Sequence, residues 1–234
     1  MTLQEISQKI DSVGNIRVIF EPESYNENHF SKKDLRSIIE KSQVSLRGWS
    51  FPHIPIEDQE NSQRPYSIEN GIEFYTAWEK FFEIFRFYQS GQFLAKFALY
   101  EDTIGRLNDK VLEPGKYLDF MSTIYKITEI VFFIKNLMES TDINRGNLII
   151  NIYQTRNRQL QAIFSPNIIP LYGGYVCKMG SISITKSFSR EKIISDYIKI
   201  AREIIKNIFE DFNWMDYSDN VIKTHQENLL NRKI

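Results

Sequence analysis

The sequence predicts an α+β fold, with antiparallel β-hairpins forming a sheet packed against long amphipathic helices. Three observations carry this expectation. Short runs of alternating apolar and polar residues pair around turn residues, and two long segments have helical apolar spacing. The strands also come in hairpins rather than alternating regularly with helices, which disfavours a doubly wound parallel sheet. At 234 residues, 42% hydrophobic and 25% charged, the composition is that of a globular chain. This length fits one domain over 1–234. It also fits two packed subdomains, an aromatic hairpin half at 1–112 and a helix-sheet-helix half at 113–234.

Residues 3–12 have helical spacing, and Asn15–Phe20 has the strand alternation, apolar at 16, 18 and 20. Ser31-Lys-Lys-Asp34 is a capping-box-like start, with Asp where Glu is usual, for a helix carrying Leu35, Ile38 and Ile39 on one face. Two prolines and a glycine make 44–56 extended or irregular, and the polar run 57–64 reads as a surface loop. Asn70-Gly71 is the strongest two-residue hairpin signal and would join Tyr66–Glu69 to Ile72–Tyr75.

Residues 81–101 alternate as a second hairpin. Phe85 and Phe87 oppose Arg86, Gln89–Gln92 turns, and Phe93, Ala95, Phe97 and Leu99 oppose Leu94, Lys96 and Ala98. A helix over 77–88 competes, because Trp78, Phe81, Phe82 and Phe85 also fit helical spacing; the alternation favours strands. Pro114-Gly115 opens a long helix over 116–139. Its stripe of Leu118, Met121, Tyr125, Thr128 and Phe132 is widened by Ile124, Val131 and Met138, so it is expected to be buried on more than one side. Asn147–Tyr153 and Arg158–Phe164 read as strands, 165–174 as a loop, and Tyr175–Lys178 and Ser181–Phe188 as further strands. Ser189 can cap a helix over 190–212, and a short helix follows at 219–231.

Several kinds of chemistry lack their motifs. There is no Gly-x-x-x-x-Gly-Lys-Ser/Thr or Gly-x-Gly-x-x-Gly loop to cradle phosphates, and no Gly-x-Ser-x-Gly nucleophile turn. His29, His53 and His225 never fall four residues apart, so no helical two-His metal site exists. Cys177 is the one cysteine, which rules out an intramolecular disulfide and a four-thiolate zinc site. Between Val176 and Lys178 it reads as a small buried hydrophobe. No metal and no cofactor is expected. Glu101-Asp102, with Glu73, Glu79 and Glu83 upstream, is either a carboxylate cluster able to hold Mg²⁺ or a solvated charged edge. His53 follows Phe51-Pro52 in an irregular segment, where site residues often sit, or it packs with Trp49 and Phe51. Arg47, His53, Arg86 and Gln92 are the candidates for a functional pocket in the aromatic half.

Net charge is −1, so the chain as a whole is no polycation, yet its charge is segregated. Residues 21–83 hold 12 acids against 7 bases. Residues 143–190 hold no acid and carry Arg145, Arg156, Arg158, Lys178, Lys186 and Arg190, interleaved with Tyr153, Phe164, Tyr172, Tyr175 and Phe188. A basic antiparallel surface with aromatic residues suits nucleic acid, with cations on phosphates and rings on unpaired bases. The same charges also suit pairing with the acidic half, with a partner protein or with solvent.

No run approaches the ~20 apolar residues of a membrane span. The best segment, 127–138, contains Glu129 and Lys135, and Met1–Ile10 lacks the apolar core and cleavage site of a leader. A reducing, cytoplasmic setting without membrane contact is the expectation.

Arg47-Gly-Trp49, Phe51-Pro-His53, Phe87-Tyr-Gln-Ser-Gly-Gln-Phe93 and Asn157-Arg-Gln-Leu160 resemble segments of a poorly characterised prokaryotic family. In that family the same region often follows a Schlafen/AlbA-type ATP-binding module associated with nucleic acids. The resemblance covers 46–160, attaches no catalytic role to these motifs and implies bacterial nucleic-acid regulation or antiviral defence. The expected function is a non-catalytic binding or assembly protein that docks a partner protein in such a complex. Direct nucleic-acid binding by 143–190 is one alternative. A metal-dependent nuclease or hydrolase using His53 with Glu101 and Asp102 is another.

Overall fold

The computed structural model describes residues 1–107, 110–164, 174–215 and 218–233. Its first half contains α1 (Leu3–Asp11), β1 (Asn15–Pro22), α2 (Lys32–Ser42), β2 (Ser62–Ile68), β3 (Gly71–Trp78), β4 (Phe81–Tyr88), β5 (Phe93–Ala98), α3 (Tyr100–Thr103), β6 (Arg106–Leu107) and β7 (Lys110–Val111). Then come β8 (Tyr117–Asp119), α4 (Phe120–Glu139), β9 (Arg145–Tyr153), β10 (Gln159–Gln161), β11 (Ser181–Ser189), α5 (Arg190–Asp211) and α6 (Asp219–Leu230). The fold is α+β. Seven strands form one antiparallel sheet in the order β11-β9-β1-β5-β4-β3-β2. Strand β1 lies between β5 and β9, so the sheet joins both halves of the sequence.

Strand periodicity sorts the residues onto two faces. Val18 stands opposite Ala95 and Ile150, and Phe85 stands opposite Phe74 and Ala95; all five are buried. Against this inner face lie α2, α4 and α5. Helix α4 is the centre of the core, apolar on nearly every side, with α2, α5 and α6 packed around it. The other face of β4 and β5 is covered by α1, through Ile6 and Ile10 against Ala77 and Ile84.

The segment 81–88 is a strand, not a helix, because it lies between β3 and β5, where alternating Phe residues fill the inner face. The Asn70-Gly71 hairpin has longer arms than expected, β2 and β3. Gly91, in the turn before β5, has φ +83° and lies against Ile143, Pro22 and Phe30, so a side chain there would be both strained and crowded.

Helix α4 starts at Phe120, four residues later than expected. Tyr117–Asp119 forms β8 instead, parallel to β10. The Asp119 carboxylate then caps α4, accepting Ser122 N–H at 2.7 Å, worth about 1 kcal/mol. The expected strand Arg158–Phe164 shrinks to β10. Arg158 turns inward to Asp102, and the Ile163 and Phe164 N–H groups donate to Asp119. Tyr175–Lys178 forms no strand, only a bridge from Val176 to Gln159. Of the expected loop 165–174, residues 165–173 lie outside the described residues.

Candidate functional site

A cavity of about 370 Å³ opens where the start of β4, the end of β5, the start of α3 and the first turns of α4 meet the Trp49 segment. Strand parity puts a carboxylate into it. Phe85 and Phe87 point inward, so Glu83, two residues back, must too, and it faces Thr76 and Phe97 across the sheet. Helical spacing supplies the opposite side. Ser122, Tyr125, Lys126 and Glu129 follow i, i+3, i+4, i+7, a polar stripe on an otherwise apolar helix, and the first three line the cavity.

One wall is a column of rings. Trp49 stacks on His53 at 3.9 Å and on Phe81 at 4.2 Å, and Phe81 continues to Tyr100 at 5.1 Å. Two rings this near one indole centroid and nearly parallel to it must take opposite faces, so both faces of Trp49 are covered and it offers the cavity its edge. Phe164 extends the column at 5.4 Å from Tyr100.

The charges are buried and mostly matched. Glu129, fully buried, receives a bidentate pair from Arg47 at 2.9 and 3.0 Å. Glu83 accepts the Trp49 indole N–H at 3.1 Å and stands 4.0 Å from Lys126 Nζ. Burial pushes the Glu83 carboxyl above its usual range, opposed chiefly by Lys126. The Lys126 ammonium also lies 5.1 Å over Phe97 and 5.4 Å over Phe51. Glu101 differs: Oε1 accepts Asp119 N–H at 2.9 Å, and no side-chain donor reaches the carboxylate among the described residues. Burial first, and the neighbouring Asp119 charge second, push its pKa up to about 7. A carboxyl held there exchanges its proton near neutrality, in contact with a cavity.

Beneath the cavity a second buried ion pair is structural. The Arg158 guanidinium grips Asp102 with two nitrogens and also donates to the carbonyl oxygens of Tyr117 (2.7 Å) and Gln154 (2.6 Å). Asp102 accepts the N–H groups of Gly14 at 2.7 Å and Gly115 at 2.9 Å. Gly14 has no Cβ because one would land on the guanidinium.

The sequence candidates are therefore scattered. Of the proposed pocket residues, Arg47 lines the cavity. His53 lies behind Trp49 and faces a separate groove, with its pKa lowered by burial and by Lys126. Arg86 pairs with Glu73 across β3 and β4 on the opposite sheet face, and Gln92 donates to Glu21 at 2.9 Å. The basic stretch does not make one surface. Arg158, expected as a phosphate contact, is fully buried, because its charge is consumed by Asp102. Arg145 pairs with Glu23 at 2.8 Å, Lys186 with Glu203 at 3.3 Å, and Arg190 donates to the Glu139 carbonyl at 3.1 Å. Arg156 and Lys178 are exposed without an ion pair among the described residues, but they lie at the far end of β9 and β11 from Arg145 and Arg190, roughly 27 Å away by strand rise. The hydrolase grouping of His53, Glu101 and Asp102 also separates: only Glu101 lines the cavity, since Asp102 is committed to Arg158.

Sequence reasoning treated Trp49 as packing, placed Tyr125 in the apolar stripe of the long helix and did not single out Lys126. The parity of Glu83 with Phe85 and Phe87, and the polar stripe on α4, were the available signals. Among the described residues no group of three or more His, Cys, Asp or Glu side chains is placed to hold a metal ion, and no helix is long and apolar enough to cross a membrane. No family model, no curated protein and no solved structure matches the chain.

Proposed function

We propose that this protein binds a small organic molecule in the aromatic cavity, with Glu101 as the polar group that recognises it. The observation that carries this is the placing of a proton-exchanging carboxyl, with no side-chain partner among the described residues, beside an aromatic wall in a concave site. Ligand sites are mostly apolar clefts of ~300–1,000 Å³ with a few placed polar groups. This cavity lies at the small end of that range and suits a ligand of one or two rings. Strongly perturbed titratable groups gathered in a cleft are a mark of such sites. The scattered cations of 143–190 give weaker support for extended nucleic-acid contact.

The test is saturation-transfer NMR with indole as the probe. Wild-type protein is expected to transfer magnetisation to indole, and Ser122→Trp, which blocks the cavity at the first turn of α4, is expected to abolish the transfer. Absence of transfer in the wild type, or equal transfer in the blocked variant, would count decisively against a ligand site here.

A further inference from the structure

The two carboxylates of the cavity are treated differently by the protein. Glu83 has a resident ammonium, Lys126, which is also held over the faces of Phe51 and Phe97. Glu101, on α3, has the same kind of setting, a buried carboxylate beside rings, but no resident ammonium among the described residues. Its charged neighbours among the described residues are as follows. On its own helix, Asp102 is neutralised by Arg158, which comes from the turn before β10. From β8, Asp119 adds negative charge, and Arg158 offsets part of it. Across the cavity stand Glu83 of β4, Lys126 and Tyr125 of α4, and Arg47, whose charge is taken by Glu129. With Asp102 and Arg158 cancelling, the local balance at Glu101 is two negative charges, its own and that of Asp119, whenever both are ionised.

The ring column adds a second preference. Trp49 has both faces covered, so what it offers a ligand is the electropositive ring edge. Edges pack against the electron-rich face of another ring in the edge-to-face arrangement. They repel a cation, which leaves the carboxylate as the place for one.

We infer that the cavity takes a small, electron-rich arylalkylamine in its protonated form, its ammonium on Glu101 and its ring face against the edge of the Trp49–Phe81 column. This rests on the ligand-binding role proposed above. The ammonium is the group that Lys126 already presents to Glu83, supplied here from outside. Binding converts Glu101 to its ionised form and releases the proton it carries, so affinity for the amine rises with pH.

The experiment is isothermal titration of wild type with three indoles sharing one scaffold: tryptamine (ammonium), tryptophol (hydroxyl) and indole-3-propionate (carboxylate). Tryptamine is expected to bind about tenfold tighter than tryptophol at about pH 8, as a charge-assisted hydrogen bond outweighs a neutral one. The propionate is expected to bind weakest. Tryptamine stays protonated across this range, as alkylammonium groups do. Its affinity is expected to fall roughly 30-fold between about pH 8 and about pH 5.5, as the ionised fraction of Glu101 drops, while that of tryptophol stays nearly level. Glu101→Gln is expected to erase both the preference and the pH dependence, and the wild-type pH profile alone decides the matter if that variant fails to fold. Equal binding of tryptamine and tryptophol, or tighter binding of the propionate, overturns the amine while leaving a ligand site standing. Binding of none of the indoles overturns both.

Discussion

Replacing Glu101 by Gln is expected to make the protein more stable than the parent above neutral pH and nearly equal to it in acid. The carboxyl is raised from its ordinary 4.5 to about 7 because the folded state buries it beside Asp119. Between those values the folded state holds a proton that the unfolded chain has already lost. Stability is therefore fully present below about pH 4.5 and is lost as pH rises through 7. At about 1.4 kcal/mol per pKa unit the whole loss is roughly 3 kcal/mol, most of it falling between about pH 5 and about pH 8. Gln keeps the Oε1 that accepts Asp119 N–H and mimics the protonated acid, so it should escape that loss. The assay is urea denaturation of parent and variant at the two pH values. Relative to the parent, the variant should gain about 2 to 3 kcal/mol on going from acid to alkaline pH. Parallel pH dependences for the two proteins, within about 0.5 kcal/mol, would show that Glu101 ionises freely and that its burial has been misjudged.

Arg158→Met should cost about 3–5 kcal/mol, because it leaves the Asp102 carboxylate charged and buried without a cation; a loss under about 1 kcal/mol by chemical denaturation would refute the structural role given to the pair. Arg156→Ala with Lys178→Ala should leave stability within about 0.5 kcal/mol of the parent, as both side chains are exposed and make no ion pair among the described residues. A large drop in that double variant's denaturation midpoint would contradict the placement. Gly14→Ala should lower the thermal midpoint markedly, since the added Cβ meets the Arg158 guanidinium and the Asp102 carboxylate at once; an unchanged melting curve would mean that this ion pair yields easily.

The sheet was legible wherever two faces differ. The alternation of Phe85 and Phe87 with Arg86, and of Phe93, Ala95 and Phe97 with Leu94 and Lys96, is the pattern that a half-covered sheet imposes, and it holds residue by residue. The long helices were legible from their apolar spacing, though not the start of α4. The parallel pairing of β8 with β10, and the bonds that Ile163 and Phe164 donate to Asp119, depend on residues about 40 positions away. The cavity was less legible, because its charges pair over long separations: Arg47 with Glu129, Glu83 with Lys126, and Asp102 with Arg158. A sum of charges along 143–190 records neither that Arg158 points inward nor that β9 and β11 carry Arg145 and Arg156 to opposite ends. Glu83 reads in sequence as part of an acidic cluster or solvated edge, yet its parity with Phe85 and Phe87 places it on the inner face, where Lys126 and Trp49 pair with it.

The most direct measurement is a nitrogen–proton correlation spectrum of the three tryptophan indole N–H groups during titration with tryptamine at about pH 8. Trp78→Phe and Trp214→Phe serve to assign the signals. The Trp49 indole N–H donates to Glu83 at the cavity wall, whereas Trp214 packs against Phe120 and Phe209 and does not line the cavity. A ligand held in the cavity must shift the Trp49 signal saturably and leave that of Trp214 in place. A Trp49 signal that stays fixed while tryptamine is raised to its solubility limit would contradict a ligand site in this cavity.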